Sequence, residues 1–458
     1  MAIVGAGPGG LMTARWLEQK CGAACSVTVF EASPRIGGKL HTRTFTSADA
    51  AYESGVAECY GDVNGDDPLR TLVADLCLET VPTAGSTVVM QGHIIRDDED
   101  LARVGGAAAR AAVESFRAIS AQALSIDEWR GRIAAEGAGD RAAAMTGTDL
   151  LELVDDDFAR RYLALLAHSD LAAEPHQTSA GYALRKMVMG LPGYGSVYAL
   201  RGGMEELPRR LAQRLTRTAL ELNARVVRLG REANGGYSLT VRRGRELSVE
   251  QADVVVLAVP HGALYAIECA GDQLRRNVAA HVAAYDRPGH YLRVSLLFDR
   301  IFWRAELPGA WFMLDAFGGC CVYDESARHH HESCGVLGWL MAGAEALMLC
   351  NADDGTLAEL AVASLPGALS ETARRSLREC RVHRWAGAVS ARPGRPTLAG
   401  ADGLLDRSGR GGLCVVGDYL FDATLNGVLR SAANAADLIA ASLTSDTLRP
   451  PGAGLPGA

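Results

Sequence analysis

Residues 5–10 read Gly5-Ala6-Gly7-Pro8-Gly9-Gly10, and no other stretch constrains the fold as much. They follow a short apolar run, Ala2-Ile3-Val4, and open a segment of helical character reaching about residue 20. In a G-x-G-x-x-G turn between strand and helix, the first glycine makes the tight turn. The second lets backbone approach a pyrophosphate, and the third lets the helix pack closely on the sheet. The helix N-terminus then offers free N–H groups and a partial positive charge to phosphate. Ser26-Val27-Thr28-Val29-Phe30-Glu31 reads as a second strand ending in an acid, 21 residues beyond Gly10. A carboxylate there can accept hydrogen bonds from both ribose hydroxyls, and it repels a 2′-phosphate. Gly5, Gly7, Pro8, Gly9, Gly10 and Glu31 are therefore the expected dinucleotide-binding residues.

The next residues choose the dinucleotide. Ala32-Ser33-Pro34-Arg35-Ile36-Gly37-Gly38-Lys39 continues directly from Glu31. A second glycine pair beside an arginine makes another backbone cradle near the pyrophosphate, with Arg35 placed to neutralise it. A simple NAD domain has no need of one, so the expected cofactor is FAD, bound by Arg35, Gly37, Gly38 and Lys39 as well.

This stretch resembles the E-x-x-x-R-x-G-G-[RK] segment of the flavin amine oxidase superfamily. That superfamily includes monoamine and polyamine oxidases, L-amino-acid oxidases, protoporphyrinogen oxidase and the carotenoid desaturases. The resemblance covers most of the chain. Glu53-Ser54-Gly55-Val56-Ala57 is similar to the family's E-x-G-A segment, and Leu200-Arg201-Gly202-Gly203-Met204 to its GG-x-x-x-L element. Val226 stands at the adenine-binding valine, Ala258-Val259-Pro260 at a strand end, and Phe302-Trp303 at an F-W pair. Trp385 resembles the tryptophan beside the flavin ring. Val416-Gly417-Asp418 resembles A-G-[ED] near the ribityl chain and pyrophosphate. Gly427-Val428-Leu429 resembles the turn opening the last helix toward the flavin pyrimidine.

Several family positions carry other residues. Arg293 holds the place of the catalytic lysine, where it is either a strand arginine in a salt bridge or a group that orients substrate beside flavin N5. Alternation along 291–298 puts Tyr291, Arg293, Ser295 and Leu297 on one face, which is expected to be the cavity wall. The two substrate-flanking tyrosines are absent, with Ala391-Arg392-Pro393-Gly394-Arg395 and Thr424 in their regions. Gly394 stands where some members carry a thioether cysteine, so the FAD is expected to be non-covalent. Arg293, Arg392 and Arg395 suit a carboxylate, the alternative for Arg392 and Arg395 being contact with FAD phosphate or solvent. Tyr194, Tyr198 and Tyr291 are candidate cavity residues, and Arg293, Trp385 and Tyr194 the candidate catalytic set. His168-Ser169-Asp170 and Glu174-Pro175-His176 read as a turn with capping residues, with acid–base work the rival reading.

Dinucleotide-type elements recur at the start, near 220–260 and at 412–443, with segments of other character between. The expected fold class is α/β: a Rossmann-like FAD-binding domain (1–75, 200–268 and 385–445) plus a substrate-binding domain of sheet and helices (76–199 and 269–384). Residues 446–458, rich in Pro and Gly, read as a disordered tail. The net charge of -8 argues against a nucleic-acid surface. Eleven scattered cysteines read as reduced thiols, the run His329-His330-His331 as a loop, and no metal site is expected. No leader precedes Ala2 and no long apolar run suggests a membrane span, which points to the cytoplasm. Together these readings lead to an FAD-dependent oxidoreductase. It would oxidise a small amine or amino-acid-like metabolite by hydride transfer to flavin N5, with O2 as acceptor. The alternatives are a desaturase of a larger apolar molecule, or a non-redox flavoprotein such as a mutase. Oligomeric state stays open, a homodimer being one option.

Overall fold

The computed structural model describes residues 1–61, 67–122, 145–190, 197–329, 333–394, 404–406 and 412–447. Two compact units emerge. The first comprises Met1–Gly38, Leu207–Asp286 and Pro393–Ala458, and the second Lys39–Glu206 and Arg287–Arg392.

In the first unit a six-stranded sheet runs Thr218–Glu221, Val27–Phe30, Ala2–Val4, Val255–Leu257, Leu413–Val415, Leu404–Asp406. The first five strands are parallel and the last is antiparallel. Ala2–Val4 sits mid-sheet, with Ile3 level with Val29 on one side and Val256 on the other. All three residues are buried. A central parallel strand is covered on both faces, so an uninterrupted apolar run is what it needs. The helices Pro8–Cys21 and Leu425–Thr447 pack against each other. A second, four-stranded sheet is built from Glu246–Ala252, Tyr237–Arg243, Ala224–Arg231 and Glu268–Ala270. Tyr237, Leu239 and Val241 alternate inward to join the core around Val255 and Leu257. The last helix runs to Thr447, and 448–458, most of the expected tail, lies outside the described residues.

The second unit is organised on a seven-stranded sheet in the order Leu377–Ser390, Pro288–Phe298, Gly335–Ala342, Cys320–Asp324, Trp311–Leu314, Thr87–Met90, His93–Ile95. Only the Trp311–Leu314 and Thr87–Met90 pairing is parallel. Leu292, Val294, Leu296 and Phe298 form one face of Pro288–Phe298 and enter the main core with Trp303 and Trp339. The odd face is not an open wall. Arg293 and Ser295 are buried, and Leu297 joins a smaller core with Phe45, Tyr52 and Val336. Helices Asp98–Gln122, Asp157–Leu171 and Ala180–Gly190 belong to this unit, the first kinked at Gly106 (φ 90°). Among the described residues no helix is long and apolar enough to cross a membrane.

The stretch His168-Ser169-Asp170 is not a turn. It lies inside the helix Asp157–Leu171, which stops at Ala172 in the left-handed conformation (φ 56°). His329 closes a short helix, Glu325–His329, rather than sitting in a loop, while His330 and His331 fall outside the described residues.

Candidate functional site

The glycine turn of the first unit is constrained on every side. Gly5 has φ 104°, and a β-carbon there would meet the Ala258 carbonyl oxygen at 2.5 Å. A β-carbon on Gly10 would overlap the Gly5 carbonyl oxygen, and one on Gly9 would lie 2.8 Å from Val416. Gly7 is different: only the Gly38 Cα comes near, at 4.0 Å. Gly7 is therefore kept small by something other than this chain's own packing. Gly7 is the N-cap of the helix and Pro8 lies within its first turn, where a missing N–H goes unnoticed.

Glu31 ties the two glycine loops together. Its Oε2 accepts the Ala6 N–H at 2.8 Å and its Oε1 the Ser33 N–H at 2.8 Å. The Gly37 N–H donates to the Ala6 carbonyl at 2.8 Å, and Gly37 and Gly38 both take positive φ (103° and 56°). The Arg35 guanidinium donates to the carbonyls of Ile36 (3.0 Å) and Gly38 (2.6 Å), so it braces its own loop. A carboxylate has about four lone-pair sites, so Glu31 can still accept from a ligand while holding two backbone donors.

The other candidates of this unit sit on the same sheet and helices. Gly417 and Asp418 follow the strand Leu413–Val415, and the Gly417 N–H donates to Ser431 Oγ at 3.1 Å. Gly427, Val428 and Leu429 lie in the first turn of Leu425–Thr447. Val428 packs toward Gly9, and Thr424 caps the helix by accepting the Gly427 N–H at 3.2 Å. Val226 is buried where the strand Ala224–Arg231 slips register. Gly394 has φ 72°, and its N–H donates to the Tyr419 carbonyl at 3.0 Å.

The second unit holds the catalytic candidates. Trp385 donates its Nε1–H to the Ser54 carbonyl at 2.7 Å. Arg293 is buried, donates to the Gly55 carbonyl at 3.0 Å and forms an ion pair with Glu325. A β-carbon on Gly55 would overlap the Lys39 carbonyl, and the Lys39 ammonium contacts the Ala388 carbonyl. Trp385 and Arg293 thus grip two consecutive peptides, Ser54 and Gly55. Sequence pattern alone left Arg293 open between substrate group and salt bridge; its carboxylate partner is Glu325 of the same chain. Tyr194 and Arg395 lie outside the described residues. Tyr198 is buried with the Arg70 guanidinium over its ring at 4.9 Å.

Sequence reading passed over a charged cluster deeper in this unit. Arg328 is buried and paired with Glu58, with its guanidinium 4.4 Å above the Tyr323 ring. The Tyr60 hydroxyl contacts Glu58 Oε2 (3.2 Å) and Asp170 Oδ1 (3.0 Å). Lys186, also buried, stands 5.1 Å over the Tyr60 ring. A cavity of about 20 Å³ is lined by Glu58, Tyr60, Ser169, Asp170, Cys321 and Tyr323, room for about one water. Burial raises the pKa of both Glu58 and Asp170, although Arg328 and Lys186 respectively pull them back. Nothing in the local sequence around Glu58 or Lys186 flags this cluster, because its members come from five separate elements. His168 has its own partners: Nδ1 meets the Gly319 carbonyl at 2.9 Å and Nε2 meets Glu174 at 3.2 Å.

A parallel sheet with a doubled glycine cradle, joined in one chain to a large antiparallel sheet, is a two-unit architecture of the dinucleotide-binding type. The chain belongs to the family of flavin containing amine oxidoreductases, whose profile matches residues 8–440. Among relatives, a probable polyamine oxidase 4 of Arabidopsis thaliana is 25% identical over 316 residues, which is 66% of this chain and 58% of that protein. The chain thus matches less than two thirds of that plant relative's length. Among solved structures, putrescine oxidase bound to putrescine superposes with a TM-score of 0.68 at 21% identity, covering 96% of this chain and 98% of that one. Cyclohexylamine oxidase from Brevibacterium oxydans gives a TM-score of 0.69 at 19% identity, covering 97% and 99%.

Proposed function

We propose that this protein binds FAD without a covalent bond and uses it to oxidise a small amine, with O2 as the final acceptor and hydrogen peroxide as the by-product. The cradle fits such a cofactor: Gly7 stays small where the chain itself leaves room for a side chain, beside a free helix N-terminus. Gly5, Gly7, Pro8, Gly9, Gly10, Gly37 and Gly38 would approach the pyrophosphate. Glu31 would hold the ribose, and Val226, Gly417, Asp418, Gly427, Val428 and Leu429 would line the rest, with Lys39 and Arg35 supporting the second loop. Bound FAD supplies the two-electron acceptor for the carbon beside the amine nitrogen, and the resulting imine hydrolyses in water. On this reading the first unit carries the cofactor and the second recognises substrate.

One observation favours an amine over an amino acid. The two buried guanidiniums of the second unit, Arg293 and Arg328, already face carboxylates of this chain, Glu325 and Glu58. Both guanidiniums are thus engaged within the chain and leave no fork for a substrate carboxylate. Trp385 and Arg293 act here by fixing the Ser54–Gly55 peptides. Amines named for the relatives, such as putrescine and cyclohexylamine, are the first compounds to try.

The test is anaerobic mixing of the purified holoenzyme with amines, amino acids and apolar polyenes, following loss of the oxidised-flavin absorbance. Bleaching by an amine, with peroxide formed on readmitting air, is the expected result. Bleaching by amino acids or polyenes alone would overturn the amine assignment, and bleaching by none would overturn the redox reading.

A further inference from the structure

Two buried carboxylates converge on one imidazole in the second unit. Glu53 ends the strand Ala51–Glu53 and is 1% exposed; Glu325 opens the helix Glu325–His329 and is fully buried. The His329 Nε2 lies 3.7 Å from Glu53 Oε1 and 3.8 Å from Glu325 Oε2. Glu53 is further held by the Met204 N–H at 2.9 Å and by the Thr42 hydroxyl at 3.0 Å. Glu325 takes the Arg293 guanidinium, which also donates to the Gly55 carbonyl.

Of the two carboxylates only Glu325 takes the Arg293 guanidinium, and the His329 imidazole stands beyond hydrogen-bonding distance of both, at 3.7 and 3.8 Å. Arg328 lies nearby but is already bound to Glu58 and to the Ala57 carbonyl. Cys59 and Tyr323 also face this region, and as neutral groups they add no positive charge. A buried carboxylate with no cation bonded to it costs several kcal/mol, and the usual relief is to keep a proton.

We propose that Glu53 holds a proton at neutral pH, and that this proton keeps Arg293 on the Gly55 carbonyl. Glu53 and Glu325 are then positioning residues for the oxidation proposed above, and this inference rests on that reading for its kinetic consequence. With Glu53 neutral, Glu325 alone competes for the guanidinium, and the other fork of Arg293 stays on Gly55. Loss of the proton to solvent places a second negative charge beside Arg293 and draws it from the peptide that Trp385 also grips. Burial, then the like charge of Glu325, push the Glu53 carboxyl up to about 7, against the pull of Met204, Thr42 and Arg293.

The experiment compares wild-type holoenzyme with Glu53→Gln and Glu325→Gln between about pH 5 and 9. Two readouts need no substrate. Infrared difference spectra of the wild type should show a protonated-carboxyl band that titrates away near pH 7, missing from Glu53→Gln. Glu325→Gln removes the like charge, so the same band should titrate at lower pH. The melting temperature of the wild type should fall as pH rises through this range, because a carboxyl with a raised folded pKa stabilises below its unfolded value and loses that contribution above. Glu53→Gln should show a smaller fall there, by the part that Glu53 contributes. The third readout is flavin reduction by an amine that works: its rate should fall toward tenfold per pH unit above about 7 in wild type and not in Glu53→Gln. No titrating band in wild type, or the same band in Glu53→Gln, would overturn the proposal. If no amine reduces the flavin, the functional reading fails while the first two readouts still decide this one.

Discussion

Trp385 reaches across 331 residues of sequence to donate its indole N–H to the carbonyl of Ser54 at 2.7 Å. That bond and the Arg293 contact on Gly55 fix adjacent peptides of one short segment. Trp385→Phe keeps the ring and leaves the Ser54 carbonyl without its donor. It should cost about 1–3 kcal/mol of stability, read as a lowered denaturant midpoint at unchanged slope. FAD content should stay at the wild-type level; a variant that loses FAD instead would place Trp385 in cofactor retention.

Arg293 and Glu325 should behave as a unit. Arg293→Met leaves Glu325 buried without its partner, a change typically worth about 3–5 kcal/mol. The double variant Arg293→Met/Glu325→Met should be more stable than Arg293→Met alone. A double variant that is less stable would show that the pair does not interact in the folded protein.

The glycines of the turn should separate into two kinds. Gly10→Ala forces a β-carbon into the Gly5 carbonyl and should prevent soluble folding or lower the melting temperature sharply. Gly7→Ala has 4.0 Å to its nearest neighbour and should fold, yet lose FAD on gel filtration. Equal stability of the two variants would refute the assignment of steric roles.

Glu31→Ala removes acceptors for the Ala6 and Ser33 N–H groups as well as for a ribose. Hydrogen bonds to a charged group contribute about 1.5–3 kcal/mol each. The expected outcome is an apoprotein after extensive dialysis, measured by the flavin-to-protein absorbance ratio. Heat-released flavin from the wild type should be intact FAD; flavin that stays on the denatured chain would refute non-covalent binding.

His168 gives a pH dependence of its own. Burial disfavours its charged form, but the Glu174 carboxylate and Gly319 carbonyl outweigh that and hold its pKa above the ordinary value. Such a group stabilises fully below its unfolded pKa, about 6.5, and the contribution is lost as pH rises through the folded one. The melting temperature should therefore drop on the alkaline side of 6.5, and His168→Gln should remove that component. An unchanged profile in the variant would exclude His168 as its source.

What could be read from sequence was local. The turn Gly5–Gly10, Glu31 at the strand end and the buried strand before Gly417 follow from spacing and hydrophobic runs within about ten residues, and each lies where expected. The partner of Arg293 was not legible, because Glu325 stands 32 residues away on another element. His168-Ser169-Asp170 carries polar residues that resemble a cap, yet the helix runs through them; Gly319, Glu174 and Tyr60 supply the hydrogen bonds from outside. Nor could alternation in Pro288–Phe298 show that its polar face is buried too, since that depends on what the remainder of the chain lays over it.

The segment order of the first unit has a consequence for biosynthesis. Ala2–Val4 and its glycine turn leave the ribosome well before the neighbouring strands Val255–Leu257 and Leu413–Val415. The second unit is complete at Arg392, before the last strand that borders Val255–Leu257 has been made. A growing chain can therefore finish its second unit while the glycine turn still rests on an open sheet, which waits for the strand Leu413–Val415. The turn is made long before the sheet that supports it is whole.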